Sequence, residues 1–196
     1  MDFNQDYILE NDRVLLRPIE SSDFEYLVEF SLNEPEIWQY SLVRADGEEN
    51  LKKYIELALK SRENEQAYTF IVFDKLNNKY AGSTRFYSIQ PIQKSMLLGF
   101  TWYGKSFQGT GLNKACKYLL LDFAFDQLLY ERIEFRSDLN NKRSINAMKS
   151  IGCKEEGILR SESFRPDGSR RDSIVLSILK SEWESELRSR FNNNNN

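Results

Sequence analysis

The sequence predicts an α+β domain, an α/β arrangement in three layers in which one mixed, twisted sheet lies between helices. Three observations carry this. Apolar segments at strand and helix spacing follow one another in the order βααβββαβαββ, which calls for a mixed sheet covered by helices. An apolar strand at residues 96–103 runs through a glycine turn into a long amphipathic stretch. The chain has 196 residues, of which 40% are hydrophobic and 13% aromatic, enough for one sizeable core, and it shows no linker or internal repeat.

Residues 13–17 (Arg-Val-Leu-Leu-Arg) read as a first strand stopped by Pro18, which has no N–H to give to a ladder. Ser21, Ser22 and Asp23 offer an N-cap, and Phe24, Leu27, Val28 and Leu32 recur at helical spacing until Asn33 to Pro35. Asp46 is the expected N-cap of a second helix. Glu48 and Glu49 suit its positive end, and Leu51, Tyr54, Ile55, Ala58 and Leu59 form one face. Residues 67–74 and 80–87 read as strands around the turn Lys75-Leu-Asn-Asn-Lys79. The helix from Leu112 carries the stripe Leu112, Ala115, Cys116, Leu119, Leu120 and Phe123. Residues 132–137 give another strand, and 144–150 a short helix that Gly152 ends. Residues 153–164 and 171–179 pair around Pro166-Asp-Gly168, where proline and glycine dictate a turn, and 182–191 read as a terminal helix. A single domain over residues 1–191 is expected. The five asparagines 192–196, polar and repetitive, are expected to be a disordered tail.

Composition removes several function classes. A net charge of −3 argues against non-specific nucleic-acid binding, which wants a basic footprint. No apolar run approaches the roughly 18 residues of a membrane span. The opening MDFNQDYILEND is acidic and lacks the basic and apolar regions of a secretory signal, so a cytoplasmic location is expected. The chain contains no histidine. That excludes Ser-His-Asp and Cys-His catalysis, H-E-x-x-H zinc sites and any imidazole base. Two distant cysteines, Cys116 and Cys153, give neither a disulfide framework nor a structural zinc site, and no metal is expected.

The most informative passage is MLLGFTWYGKSFQGTGLNKACKYLLLDFAFDQ, residues 96–127. Gln108-Gly-Thr-Gly111 can turn sharply and admit another molecule close to the backbone, because glycine has no Cβ. A helix N-terminus then presents unpaired N–H groups and the positive end of its dipole, which suits phosphate. The P-loop pattern G-x-x-x-x-G-K-S is literally present from Gly99 to Ser106, and Leu119-Leu-Leu-Asp122 imitates an acidic strand end. Phe, Thr, Trp and Tyr between its glycines belong in a strand, however, and two glycines follow where the helix should be running. The dinucleotide pattern G-x-G-x-x-G is half met, with Lys114 in place of the third glycine.

Gln108-Gly-Thr-Gly111-Leu-Asn113 resembles Q/R-x-x-G-x-G/A, the pyrophosphate loop of acetyl-CoA-dependent N-acetyltransferases of the GNAT superfamily, with Asn113 at the third anchor. Glu131-Arg-Ile-Glu-Phe-Arg-Ser-Asp138 follows, then Asn141-Lys-Arg-Ser144 and Lys149-Ser-Ile-Gly152-Cys-Lys-Glu-Glu-Gly157-Ile-Leu-Arg160. With Pro166-Asp-Gly168, Arg171-Asp172 and Ser181-Glu-Trp183, these segments in this order are similar to the ribosomal-protein-alanine N-acetyltransferase branch over roughly residues 10–187.

The resemblance implies a fold with splayed central strands and transfer of an acetyl group from acetyl-CoA directly to a primary amine, a protein N-terminus or a small amine, without an acyl-enzyme. It places the pantetheine between residues 97–103 and 132–137, with backbone at Phe100, Thr101 and Trp102 pairing with it and serving the oxyanion. Core packing is at least as good an account of the Trp102 side chain. The loop residues Gln108, Gly109, Thr110, Gly111, Leu112, Asn113 and Lys114 would bind pyrophosphate. Asn141 and Ser144 would touch cofactor, Ser144 supplying the proton for the thiolate in place of a tyrosine that many relatives carry where this chain has Met148. A turn or N-cap role serves Asn141 equally well. The general base stays unassigned: no carboxylate precedes Gly99-Phe100, and Glu134 and Asp138 are substitutes at best. The expected partners are acetyl-CoA and an amine, with no nucleic acid and no membrane, in a monomer or homodimer. The missing tyrosine and glutamate leave open a non-catalytic acyl-CoA-binding or regulatory domain on the same fold.

Overall fold

The computed structural model describes residues 1–193 and builds them into one eight-stranded sheet with helices on both faces. In chain order the elements are β1 (Leu9–Glu10), β2 (Val14–Pro18), α1 (Phe24–Asn33), α2 (Glu48–Glu63), β3 (Ala67–Asp74), β4 (Lys79–Gln90) and β5 (Ser95–Tyr103). There follow α3 (Leu112–Asp122), β6 (Arg132–Asp138), α4 (Lys142–Ser150), β7 (Lys154–Phe164) and β8 (Arg170–Leu179). The chain closes with α5 (Lys180–Glu182), a π turn at Trp183–Leu187 and α6 (Arg188–Asn193). The sheet order is β1-β2-β3-β4-β5-β6-β8-β7, and every neighbouring pair is antiparallel except β5 and β6. This is the α+β class and mixed sheet expected. Among the described residues no helix is long and apolar enough to cross a membrane.

Local chemistry departs from expectation in three places. Asp46 does not cap α2: its carboxylate accepts two bonds from Arg44 at 2.6 Å, and Gly47, with φ +79°, stands at the cap position. A charge-assisted fork on guanidinium competes successfully with a single backbone N–H. Asp23 caps the first turn, but by accepting from the Glu20 N–H at 2.8 Å and from Arg17 at 2.9 Å. The short β1, in which Leu9 faces Leu16, adds an edge that the sequence reading missed. Of the expected asparagine tail, α6 takes in the first two residues, and 194–196 lie outside the described residues.

The two faces of the sheet bury different clusters. Leu120 and Leu121 of α3 and Phe123 in the π turn that follows it pack with Trp183 and Phe191 on one face. On the other, Leu27 of α1 and Leu51 and Tyr54 of α2 surround Trp38 and Trp102. The Trp102 ring lies 5.1 Å from that of Trp38 and 6.2 Å from that of Phe30, so its side chain is a core residue.

What positions a site is the departure of β5 from β6. Their parallel pairing covers only Ser95, Met96 and Leu97 against Arg132, Ile133 and Glu134. Beyond that point β6 continues along β8 as far as Asp138, whereas β5 stays with β4 through an irregular register between Ser83 and Arg85. Phe100, at φ +49°, sits at the irregularity. An extra residue on one strand bends it and increases its twist, and here the bend opens a gap between two neighbours of one sheet.

Gly82 makes that course possible. It faces Tyr103 on β5, and a Cβ built on it would lie 2.0 Å from the Trp102 carbonyl oxygen. The Gly82→Ala variant should therefore lose about 1–3 kcal/mol, as backbone must shift to admit a methyl group. Urea denaturation measures this, and an unchanged midpoint would contradict the close approach.

Candidate active site

A cavity of about 470 Å³ occupies the gap, within the range of small-molecule sites. It passes through the sheet. Tyr40 and Tyr87 border it on the side of α1 and α2, and Lys117, Ser144 and Met148 on the side of α3 and α4.

Phe100, Thr101 and Trp102 contribute the β5 wall. At the mouth stand Gln108, Gly109 and Asn113. Gln108 is held at both ends of its amide: Nε2 donates to the Tyr103 carbonyl at 2.8 Å, and Oε1 accepts from Arg143 of α4. Gly109 and Gly111 have φ of +74° and +86°, and a Cβ built on either would meet nothing within 4 Å. The loop thus exposes bare backbone with nothing standing where side chains would be, directly before the N–H groups of α3 that have no acceptor inside the helix.

The other loop residues play different parts. Thr110 closes the turn by donating to the Phe107 carbonyl at 2.8 Å, and Leu112 is fully buried in the core. Lys114 is drawn to Phe191, its ammonium 5.5 Å from the ring centre. None of these three side chains, nor Gly111, borders the cavity. The P-loop reading is overturned. Lys105 forms an ion pair with Glu36, and its backbone N–H donates to Glu34 at 2.7 Å, so the lysine is committed away from the loop. Asp122 sits in α3 and pairs with Arg188 at 2.7 Å.

On α4, Asn141 is the N-cap: its Oδ1 accepts the Ser144 N–H at 3.1 Å. That bond fixes where the helix starts and brings Ser144 to the cavity wall half-buried. Met148, one turn on, is buried and offers no proton.

The carboxylates near the cleft are occupied. Glu134 lies between Arg132 at 3.0 Å and Arg136 at 2.8 Å and does not border the cavity. Asp138 does, but it is buried, accepting from Arg165 at 2.9 Å and from the Asn140 N–H at 2.9 Å. Glu162, which sequence reading overlooked, borders the cavity from β7. Burial pushes its carboxyl up, yet bonds from Ser163, Ser173 and Arg136 outweigh this and hold it below its ordinary value. None is an unengaged base.

Sequence reading also missed Tyr87, Arg171 and Lys117. Burial pushes the Tyr87 phenol up to about 12. Arg171 is buried and donates to Ser173 at 3.0 Å and to the Tyr40 carbonyl at 3.3 Å, fastening the segment after α1 to β8. Lys117 is 4% exposed, and its ammonium donates to Thr101 at 2.8 Å and Thr84 at 3.2 Å. Burial lowers it to about 8, with Cys116 and Cys153 acting weakly the other way. Leu120, Leu121 and Ala124, three, four and seven residues further on, are all fully buried. That spacing was the available signal that Lys117 faces inward.

Comparison with known proteins agrees with this geometry. Residues 13–154 match the family model described as "Acetyltransferase (GNAT) domain". The Bacillus subtilis (strain 168) protein named "Probable N-acetyltransferase YjcK" is 27% identical over 183 residues, covering 90% of this chain and 99% of that protein. The structure of a GCN5-related N-acetyltransferase from Brucella melitensis superposes with a TM-score of 0.89 at 24% identity, over 96% of this chain and 85% of the other. A Salmonella typhimurium acetyl transferase, which modifies the N-terminal serine of 50S ribosomal subunit protein L7/L12, superposes with a TM-score of 0.78 at 20% identity, over 88% of this chain and 99% of the other.

The buried Lys117 makes stability depend on pH. Below about 8 the lysine is charged in both states, and only the folded state suffers its desolvation. From about 8 to its ordinary 10.5 the unfolded chain binds more protons, so stability rises with pH. Lys117→Met removes this effect, while Thr84 and Thr101 remain bonded to each other at 2.7 Å. The variant should melt above the wild type at about pH 7, and its advantage should shrink as pH rises toward about 10. Paired melting curves measure this; an advantage independent of pH would contradict the shifted lysine.

Proposed function

The chain belongs to the GNAT acetyltransferase family, and we propose that it is an acetyl-CoA-dependent N-acetyltransferase acting directly on a primary amine. The observation that carries the reading is the exposed backbone at Gly109 and Gly111, before a helix N-terminus and beside a cleft between parted strands that Gly109 borders. Such a loop fits a pyrophosphate: backbone can approach it closely, and N–H groups and the helix dipole both favour negative charge. Acetyl-CoA, when bound, supplies an activated acyl group on a sulfur that leaves readily.

The chain's own residues would then act as follows. Gln108 and Arg143, locked together, hold the loop against the start of α4. The free edges of β5 after Leu97 and of β6 after Glu134 offer backbone groups to an extended chain lying between them, as a missing strand would. Phe100, Thr101 and Trp102 supply that edge and the N–H groups nearest the bend. Ser144, oriented by the Asn141 cap, donates from its hydroxyl to the departing sulfur and recovers a proton from water. The amine enters from the side of Tyr40 and Tyr87. Its proton goes to water, since each carboxylate nearby is already bonded. For the acceptor we favour a protein N-terminus, supported by the resemblance of this fold to the Salmonella enzyme that modifies such a group. A cytoplasmic site of action goes with that reading.

Two outcomes are expected. Gly111→Asn keeps a residue that tolerates left-handed backbone but puts a side chain where a ligand would approach that backbone. Its affinity for acetyl-CoA, measured by calorimetry, should fall about tenfold or more, or ~1.4 kcal/mol. Unchanged affinity in the folded variant would remove the loop from the site. Thiol release from acetyl-CoA over peptides with free N-terminal serine or alanine and over small amines tests the enzyme itself, and binding without turnover would favour a regulatory domain. In that assay Ser144→Ala should lower kcat by roughly tenfold to a hundredfold with acetyl-CoA affinity kept. Wild-type kcat would return Ser144 to the helix surface.

A further inference from the structure

Lys117 is a buried charge that the mechanism above does not use, and it borders the cleft. It projects from α3, and its ammonium reaches two hydroxyls on neighbouring strands, Thr84 on β4 and Thr101 on β5, leaving the third of its three donors. Thr101 lies immediately after the Phe100 bend, on the stretch of β5 that has left β6. Lys117 therefore borders the same cavity as Ser144 and Met148.

A cation so buried normally stands against a carboxylate, because an isolated buried charge is costly. Here the titratable groups acting on it are two thiols, Cys116 on its own helix and Cys153 beyond α4. Burial raises both thiols, Cys153 to about 12, so they stay neutral and supply no counter-charge. Tyr103, whose hydroxyl is buried, is likewise pushed up by burial. From β4 and β5 only neutral threonine hydroxyls reach it. The acidic residues in and beside the cleft are each committed to arginines, Glu134 and Glu162 to Arg136 of β6 and Asp138 to Arg165 in the turn after β7. The fold thus spends stability to hold a positive charge at the wall of the cleft, with no anionic partner among the described residues.

We propose that Lys117 is the cation this cleft presents to the sulfur of coenzyme A, stabilising the thiolate as the acyl group leaves. The proposal rests on the acetyl-CoA reading. As the amine nitrogen bonds to the acyl carbon, the C–S bond breaks and its electron pair stays on sulfur, while the proton shed by nitrogen passes to water. A preorganised charge in a site of low dielectric is a large source of transition-state stabilisation. Lys117 lowers the charge on sulfur in energy, and Ser144 then protonates it. Because Lys117 itself titrates near about 8, the charge is lost in mildly alkaline solution.

The direct test reads coenzyme A rather than turnover. The thiolate of coenzyme A absorbs in the ultraviolet, and its titration is followed for the bound thiol in wild type, Lys117→Met and Lys117→Arg. The protein's own thiols are raised by burial and drop out of the bound-minus-free difference. The expected result is a bound thiol that ionises about one pH unit lower in wild type than in Lys117→Met, with Lys117→Arg restoring the shift. In kinetics on the best amine of the panel, kcat/KM for wild type should fall above about pH 8, that limb should vanish in Lys117→Met and move upward in Lys117→Arg, and kcat of the Met variant should drop roughly tenfold to a hundredfold. A purely structural lysine would move neither the thiol titration nor the limb. Equal bound-thiol titrations in wild type and Met variant overturn the role of Lys117. Should neither variant fold, a wild-type thiol that ionises no lower bound than free overturns it as well. Absence of any acetyl-CoA binding by wild-type protein overturns the underlying reading and this proposal with it.

Discussion

Once β5 and β6 part after Leu97 and Glu134, the backbone groups on their facing edges lose each other as partners. Backbone N–H and C=O groups left without partners inside a protein are expensive, and a sheet does not open in its middle without compensation. Much of the molecule supplies that compensation. Gly82 lets β4 and β5 approach closely where β5 bends, and Phe100 takes up a left-handed conformation to make the bend. On the other bank, β6 is kept straight by seven register pairs with β8 and by a ladder in which Arg132, Glu134, Arg136 and Glu162 alternate in sign. With both banks held, the gap persists as a slot of fixed width. Its unpaired edges suit a ligand that can behave as a strand.

The same slot sorts the charges of the molecule. Arginines and carboxylates meet on β6, β7 and the turn that follows β7, where they neutralise one another. Lys117, on the opposite face, is bonded to hydroxyls alone. The loop at Gly109 and Gly111 adds helix-dipole charge without any side chain. A phosphate therefore meets backbone, and a developing anion deeper inside meets a buried ammonium. The distribution is that of a site that receives negative charge at two depths.

The fold was legible in the sequence because its signals are local. Helical stripes, the turn at Pro166-Asp-Gly168 and the glycine stop at Gly152 act within a few residues, and each falls where it was placed. Asp46 failed because a competitor two residues away, Arg44, is as local as the cap but binds more strongly. The glycine loop before α3 was likewise readable as a turn, since glycine spacing and the helix start are adjacent in the chain. The wall of the cleft was not. Helical spacing turns Lys117 inward, but what its ammonium meets is hidden until the threonines of two distant strands are brought beneath it, and Glu162 reads as an edge-strand charge until β7 folds beside β8. Asn141 lay between the two cases. Its capping bond is local, while any contact with a ligand depends on where α4 meets β6.

In the proposed reading, coenzyme A lies along the parted edges of β5 and β6 and against the loop before α3. Amide hydrogen exchange with and without coenzyme A tests it residue by residue, since a ligand that pairs like a strand protects the amides it covers. The expected result is slowed exchange at residues 98–103 and at 109–114, with β2 and β3 on the far side of the sheet unaffected. Saturating coenzyme A with no protection on β5 or the loop, or with protection elsewhere alone, would contradict the account.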